Sequence, residues 1–216
     1  MALRPVFRVL HSAPYVRETS VTFQYCPGLS RAQRCRCAQS LHAAYLQDFP
    51  SDDGAVLEIS SFSDLPLGVQ LSAFNLSLTL SDGRSYPLEC LYQAGKCYAD
   101  GTTCQDLLTA SPRDARRIAN ERGVSPLTHF ELDGLCFPIV PRTLFYDWLY
   151  ISALRQKPEL AARLLNYRAF TDIVFNPLKS TSCQARAAAK FVGLTLSGKL
   201  EEAMSSPEAF RRIAYL

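Results

Sequence analysis

Histidine is scarce in this 216-residue chain, with only His11, His42 and His129, and none of the eight cysteines stands in a paired C-x-x-C spacing. Cys35 and Cys37 make only a C-x-C inside a predicted helix. No zinc ligand set can be assembled from these positions, so reduced, mostly buried thiols are the economical reading. Cys90 and Cys97 have no histidine nearby in sequence to activate either as a nucleophile. Long apolar runs are missing as well. The opening MALRPVFRVLHSAPYV lacks the apolar core of a signal peptide, and no stretch approaches the length of a membrane span. A soluble, cytoplasmic protein with no membrane partner is expected. Strongly basic tails, internal repeats and low-complexity linkers are also lacking, and a net charge of +3 permits contact with phosphates without demonstrating it.

What the chain does have is 48% hydrophobic residues, enough at this length to bury a core as one domain. Val21, Phe23 and Tyr25 alternate before Pro27-Gly28, which predicts one or two strands within residues 1–28. Ser30 caps a predicted helix to about Gln47, with Cys35, Ala38, Leu41 and Tyr45 on its apolar face. Its other side carries Arg31, Arg34 and Arg36, which suits a solvated face or contact with nucleic acid. Val56, Leu57 and Ile59 suggest a strand that turns Glu58 to the opposite side, with Ser60 following. Leu76, Leu78 and Leu80 alternate with polar residues, and Asp82-Gly83 turns that strand back through Arg84 to Tyr86.

Pro87 then opens a predicted helix to Tyr98, on which Glu89, Gln93 and Lys96 fall at i, i+4 and i+7. An acid, an amide and an amine on one face form one wall of a polar site, or a solvated face with a charge pair. From Thr102 onward the pattern is mainly helical. A short helix is capped by Thr102 or Thr103, another runs from Ser111-Pro112 to Arg122 and is stopped by Gly123, and Leu127 to Ile139 is irregular or extended around Asp133-Gly134. Leu144, Trp148, Ile151 and Leu154 make a core stripe. Pro158 opens a helix through Leu165 with Leu160, Leu164 and Leu165 inward, and a last helix runs from about Lys199, with a Ser-Ser-Pro interruption, to Ile213. The loop Phe170 to Thr181 holds Asp172, Asn176, Lys179 and Ser180 and has few periodic hydrophobics, as loops that line sites do. Thr181 or Ser182 caps the next helix, Cys183 to about Leu196, whose first amides suit an anion such as a pyrophosphate. The fold class that follows is α+β: a predominantly helical single domain with a small antiparallel sheet or hairpin.

The phrase GVQLSAF at residues 68–74, followed by a hairpin and then ECLYQAGK at residues 89–96, resembles the NADAR (YbiA-like) family, in which a glycine, F-S-N-F, a hairpin and S-E-x-x-Y/F-Q-x-x-K follow in that order. The Glu-to-Lys spacing and the aromatic-Gln pair match. SPRDAR at residues 111–116 resembles the family's P-x-x-A-R helix. The core resemblance covers residues 58 to 195, leaving 1–57 as a branch-specific N-terminal part and 196–216 as a C-terminal helix of one NADAR-type domain. LEISS, LGVQLSAFNL, TLFYDWLYI, AFTDIVFNP and SCQARAAAKFV resemble a narrower branch, the NADAR antitoxins associated with DarT toxins. Two departures stand out. Ala73 replaces the usual Asn, and Phe175 with Asn176 replaces Tyr-Trp-Gly.

The resemblance implies an N-glycosidase that removes ADP-ribose from guanine in DNA, with ADP-ribosylated DNA and a DarT-like toxin as partners, ADP-ribose as product, and neither cofactor nor metal. Lys96 is the implied nucleophile, forming a Schiff base with the anomeric carbon, and Glu89 the general acid or base. A carboxylate beside a lysine raises the amine's pKa, so a route in which Glu89 activates water and Lys96 stays charged remains open. Asp172 assists catalysis, orients a ribose hydroxyl or caps its loop. Tyr92 and Gln93 belong to the motif, and Ser72 and Phe74 hold a place at the site through the family match alone. Tyr146 and Trp148 are candidates for base stacking or core, and Asp147 beside them for a site role or a buried salt bridge. Glu58 and Ser60 are candidates for ligand contact or strand-end hydrogen bonding, and Asn176, Lys179 and Ser180 for substrate or phosphate contact. Two other functions fit the same residues: hydrolysis of a small nucleotide or riboflavin-pathway intermediate, and non-enzymatic masking of the toxin.

Overall fold

Alternating hydrophobics at the start of the chain pair as a hairpin, β1 (Ala2–Val9) with β2 (Val16–Phe23). The computed structural model describes residues 1–28, 30–178 and 180–216. The chain continues through α1 (Arg31–Asp48), a 3-10 turn, β3 (Val56–Glu58), α2 (Pro66–Gln70), the hairpin β4 (Ser77–Thr79) and β5 (Ser85–Pro87), α3 (Leu88–Ala94) and β6 (Lys96–Tyr98). After a second 3-10 turn come α4 (Pro112–Arg122), β7 (Leu127–Leu132), β8 (Leu135–Pro138), α5 (Leu144–Arg155), α6 (Pro158–Leu164), β9 (Ala169–Thr171), α7 (Gln184–Leu196), α8 (Leu200–Ala203) and α9 (Pro207–Tyr215).

A four-stranded sheet in the order β2-β1-β9-β3 lies at the centre, with β9 antiparallel to β1 and parallel to β3. Period-two alternation sends neighbouring residues to opposite faces. Val6, Val21, Phe23 and Ala169 pack with Cys37, Leu41 and Tyr45 of α1, while Phe7, Leu57 and Phe170 pack into the main core with α5 and α7. The sheet is therefore covered on both faces. Local signals set several boundaries: Ser30 makes a capping box with Gln33, Ser111 caps α4 ahead of Pro112, and Asp82 accepts from the Arg84 amide and the Tyr86 hydroxyl to close the β4–β5 turn.

Several expectations are corrected. The helix expected from Pro87 to Tyr98 ends at Ala94, and Lys96 begins a strand paired with Phe130. Glycine at position 95 is a poor helix former, and its carbonyl accepts from the Glu131 amide, a cross-strand bond that local pattern does not reveal. Residues 127–138 are extended as expected and form a β hairpin around Asp133-Gly134, whereas the loop expected from Phe170 begins inside a buried central strand. Three residues are too few for periodicity to show. Cys35 is only partly buried, its place in the α1 core being taken by Cys37. Leu165 lies past the end of α6 and is 37% exposed. The helix expected from Cys183 starts at Gln184 without a side-chain cap from Thr181 or Ser182.

A buried polar chain joins α1 to the sheet. Thr171 Oγ1 donates to Glu58 Oε2 at 2.6 Å, and, its one hydrogen committed, accepts from His42 Nε2 at 2.7 Å. Burial pulls the His42 pKa down to about 4, so the ring is neutral. The unfolded chain binds a proton on His42 near pH 6.5, hence stability falls as pH drops from about 6.5 to about 4, by about 2–3 kcal/mol. Replacing His42 by Gln removes that increment. Chemical denaturation at pH 7 and pH 4.5 should show wild type losing about 2–3 kcal/mol more than the variant, and equal losses would contradict a neutral His42.

Candidate active site

The helix α3 keeps Glu89 and Gln93 one turn apart, and Gln93 Nε2 donates to Glu89 Oε1 at 2.9 Å. Both side chains are buried, yet Gln93 Oε1 has no hydrogen-bond partner among the described residues. An unpaired buried acceptor is costly, and here it borders a cavity of about 690 Å³. Lys96 reaches the same cavity from β6 rather than from the helix. Its neighbour Gly95 allows this: a Cβ there would lie 2.6 Å from Phe145 Cζ, so only glycine lets α5 pack this close to the strand. Lys96 Nζ sits 5.5 Å from the centre of the Tyr92 ring. Tyr92 is held in turn by stacking on Phe130 and by the Ser182 hydroxyl, which donates to its oxygen at 3.1 Å.

Two opposing effects act on Lys96. Burial lowers its pKa and Glu89 raises it; burial is the larger, so the amine sits below its ordinary value, with nearby Arg116 adding in the same direction. Glu89 has a cation of its own, since Arg116 Nε lies 4.0 Å from Oε1.

Asp172 enters from the loop after β9. Its Oδ1 accepts from the Val174 and Phe175 amides, so the loop-capping reading holds, but the same carboxylate lines the cavity. Burial first, and then the charge of Glu58, raise its pKa well above the carboxylate range. Gln184 anchors the arrangement: it donates to Asp172 Oδ2 at 3.0 Å and to the Ile59 carbonyl at 2.6 Å, and accepts from the Ala73 amide at 2.7 Å. At position 73, then, it is the backbone amide that is engaged.

Of the residues singled out from sequence, Lys96, Glu89, Asp172, Tyr92, Gln93, Phe74, Tyr146, Asn176 and Ser180 line this cavity. Ser60 and Ser72 line an adjoining cleft of about 450 Å³ that shares Phe74, Arg116, Val174 and Gln184 with it. Three residues lie elsewhere. Glu58 is sealed behind the site, accepting from Ser60, Thr171 and the Ile173 amide. Asp147 is a buried salt-bridge partner, 2.7 Å from Arg186 and 3.1 Å from Lys190. Trp148 packs between Phe137 and Phe210 and borders a separate, apolar cleft. The expectation on Lys179 falls outside the described residues.

Sequence reasoning missed Arg116, Asn120, Arg142 and Gln184, all of which line the cavity. Arg116 and Asn120 share a face of α4 at i, i+4, a signal that was available. Gln184, a lone amide ahead of an alanine run, was another. Arg142 carries no local signal.

The motif glycine, Gly68, has its reason in the same place: a Cβ would lie 2.0 Å from the Glu58 carbonyl, so α2 can press against β3 only without one. No helix among the described residues is long and apolar enough to cross a membrane. No curated protein matches the chain. The family model described as DarT1-associated NADAR antitoxin matches residues 2–216. Spanning nearly the whole chain, that match makes this protein a member of the DarT1-associated NADAR antitoxin family.

Proposed function

We propose that the protein is a hydrolase that removes ADP-ribose from guanine bases of DNA, and that it acts in the cytoplasm as antitoxin to a DarT-like DNA ADP-ribosyltransferase. The observation that carries this reading is Lys96, an amine at the wall of a polar cavity whose burial outweighs the pull of the neighbouring Glu89 carboxylate. A lysine with lowered pKa is a competent nucleophile toward an anomeric carbon. Asp172, with its raised pKa, holds a proton for the departing guanine nitrogen. The glycosidic bond breaks through an oxocarbenium-like transition state, its electron pair leaving with the base. Lys96 Nζ bonds to the carbon, Glu89 takes the amine proton and passes it to the ring oxygen as the ribose ring opens to a Schiff base. Water activated by Glu89 then cleaves the imine, which frees ADP-ribose and restores the amine.

The walls suit such a substrate. Arg116 and Arg142 offer cations for a pyrophosphate or DNA phosphates, with Asn176 and Ser180 as further polar contacts. Phe74, 40% exposed where the two cavities join, presents a ring face to a base. The unpaired Gln93 Oε1 awaits a donor, which a ribose hydroxyl supplies. The modified base must be single-stranded or extruded to reach the cavity, and affinity should fall with salt.

Incubation with a guanine-ADP-ribosylated strand, read by mass spectrometry, tests the proposal. Wild type should release ADP-ribose, Lys96→Ala should lose essentially all release, and Glu89→Gln should lose about 10²–10⁴-fold; no release by folded wild type would refute the hydrolase. Toxin protection that survives both substitutions would instead indicate masking. The rate should rise with pH as Lys96 loses its proton and fall again as Asp172 loses its own, and Asp172→Asn should remove the alkaline fall. Gly95→Ala, which displaces β6 from Phe145, should lower kcat by about 10–100-fold in a protein that still folds, as a misplacement of about 1 Å does.

A further inference from the structure

Cys97, His129 and Glu131 are scattered in sequence, but the β6–β7 pairing gathers them on the face of the sheet opposite to Lys96. Cys97 pairs directly with His129, and Glu131 is two residues on along the same strand face. One ligand atom from each, the thiol sulfur, an imidazole nitrogen and a carboxylate oxygen, lies within 4.8 Å of the other two. The histidine that sequence could not supply to Cys97 comes from the partner strand.

The tautomer of His129 is set by its neighbour. Thr128 Oγ1 donates its hydrogen to the Cys97 carbonyl at 3.0 Å, so its 2.9 Å contact with His129 Nδ1 is received from the ring N–H. The bare lone pair is then on Nε2, which lies 4.0 Å from Glu131 Oε2. Two acceptors face each other there, and a proton or a metal cation between them pairs both. Hydrogen bonding at the far nitrogen is also the usual support of a metal-bound imidazole. Among the described residues Cys97 Sγ donates only a long bond, to the Gly95 carbonyl at 3.8 Å.

We infer that this face is a binding site for zinc, held by Cys97 Sγ, His129 Nε2 and a Glu131 carboxylate oxygen, with the fourth tetrahedral position open to water. Thiolate, imidazole and carboxylate together are a donor set that selects zinc over magnesium or calcium. Bonds of about 2.0–2.3 Å require the three ligand atoms to close by about 1 Å, within the reach of side-chain rotation. Binding releases the Cys97 proton to solvent as the Zn–S bond forms. The ion would clamp β6 to β7 directly behind Lys96, and so hold the strand that carries it. The site does not depend on the proposed hydrolase activity.

The test is titration of the reduced full-length protein with Zn²⁺ alone by calorimetry, and with Co²⁺ alone by absorption. One equivalent should bind with release of a proton, raise the unfolding temperature, and give with Co²⁺ a thiolate charge-transfer band with tetrahedral d–d transitions. Cys97→Ser should abolish that band, and His129→Ala should weaken binding by tenfold or more. Cys35→Ser, a change to a partly buried thiol on α1 outside the ligand set, should leave binding intact. Absence of stoichiometric binding to folded wild type would overturn the inference, as would binding unaltered by Cys97→Ser and His129→Ala, because the metal would then sit on other cysteines.

Discussion

A buried polar knot at the ends of β3 and β9 holds the cavity together. Glu58, Thr171, Asp172 and Gln184 are all under 10% exposed, and leaving such groups unpaired would cost several kcal/mol. They are paired to one another and to backbone from three further segments: the Ile59 carbonyl, the Ala73 amide and the amides of Val174 and Phe175. Each bond of Gln184 thus positions a different wall. The same knot has an electrostatic consequence. Burial raises the pKa of both Glu58 and Asp172, and the charge of Glu58 raises that of Asp172 further. A residue sealed away from the cavity thereby adjusts the proton affinity of one that lines it.

Packing on the other side of the cavity serves Lys96. Tyr92, Phe130 and Phe145 form a stacked aromatic wall, with ring centres 4.6 Å apart for Phe130 and Phe145 and 5.6 Å for Tyr92 and Phe130. This wall removes water from one side of the amine. Glu89 opposes that desolvation, but its carboxylate is shared with Gln93 and Arg116. The balance leaves the amine below its ordinary pKa, the direction that the proposed Schiff-base route needs.

How much of this could be read in the chain depended on how local the cause was. Ser30, Ser111 and Asp82-Gly83 act within a few residues, and their elements lie where the pattern puts them. Glu89, Gln93 and Lys96 were legible as a group, yet the helix assigned to all three was wrong for Lys96, because pairing with a strand more than thirty residues later outweighs a local turn. Strand β9 was hidden by its brevity. Arg142 and the Cys97–His129–Glu131 cluster come together only through tertiary structure, and no window of sequence contains them. For Trp148 and Asp147 the core and salt-bridge alternatives are the ones the structure takes, not the site roles. A helix rich in aromatics offers several candidates for stacking, and only Tyr146 of that group faces the cavity.

The central claim is that Lys96 bonds covalently to the sugar. Borohydride reduces an imine to a stable amine, so adding it during turnover of ADP-ribosylated DNA and mapping the modified peptide by mass spectrometry addresses that claim directly. The account predicts a single adduct on Lys96, of the mass of ADP-ribose less water plus two hydrogens, absent from Lys96→Ala. Full turnover in borohydride with no adduct at Lys96 would contradict it and leave water attack assisted by Glu89.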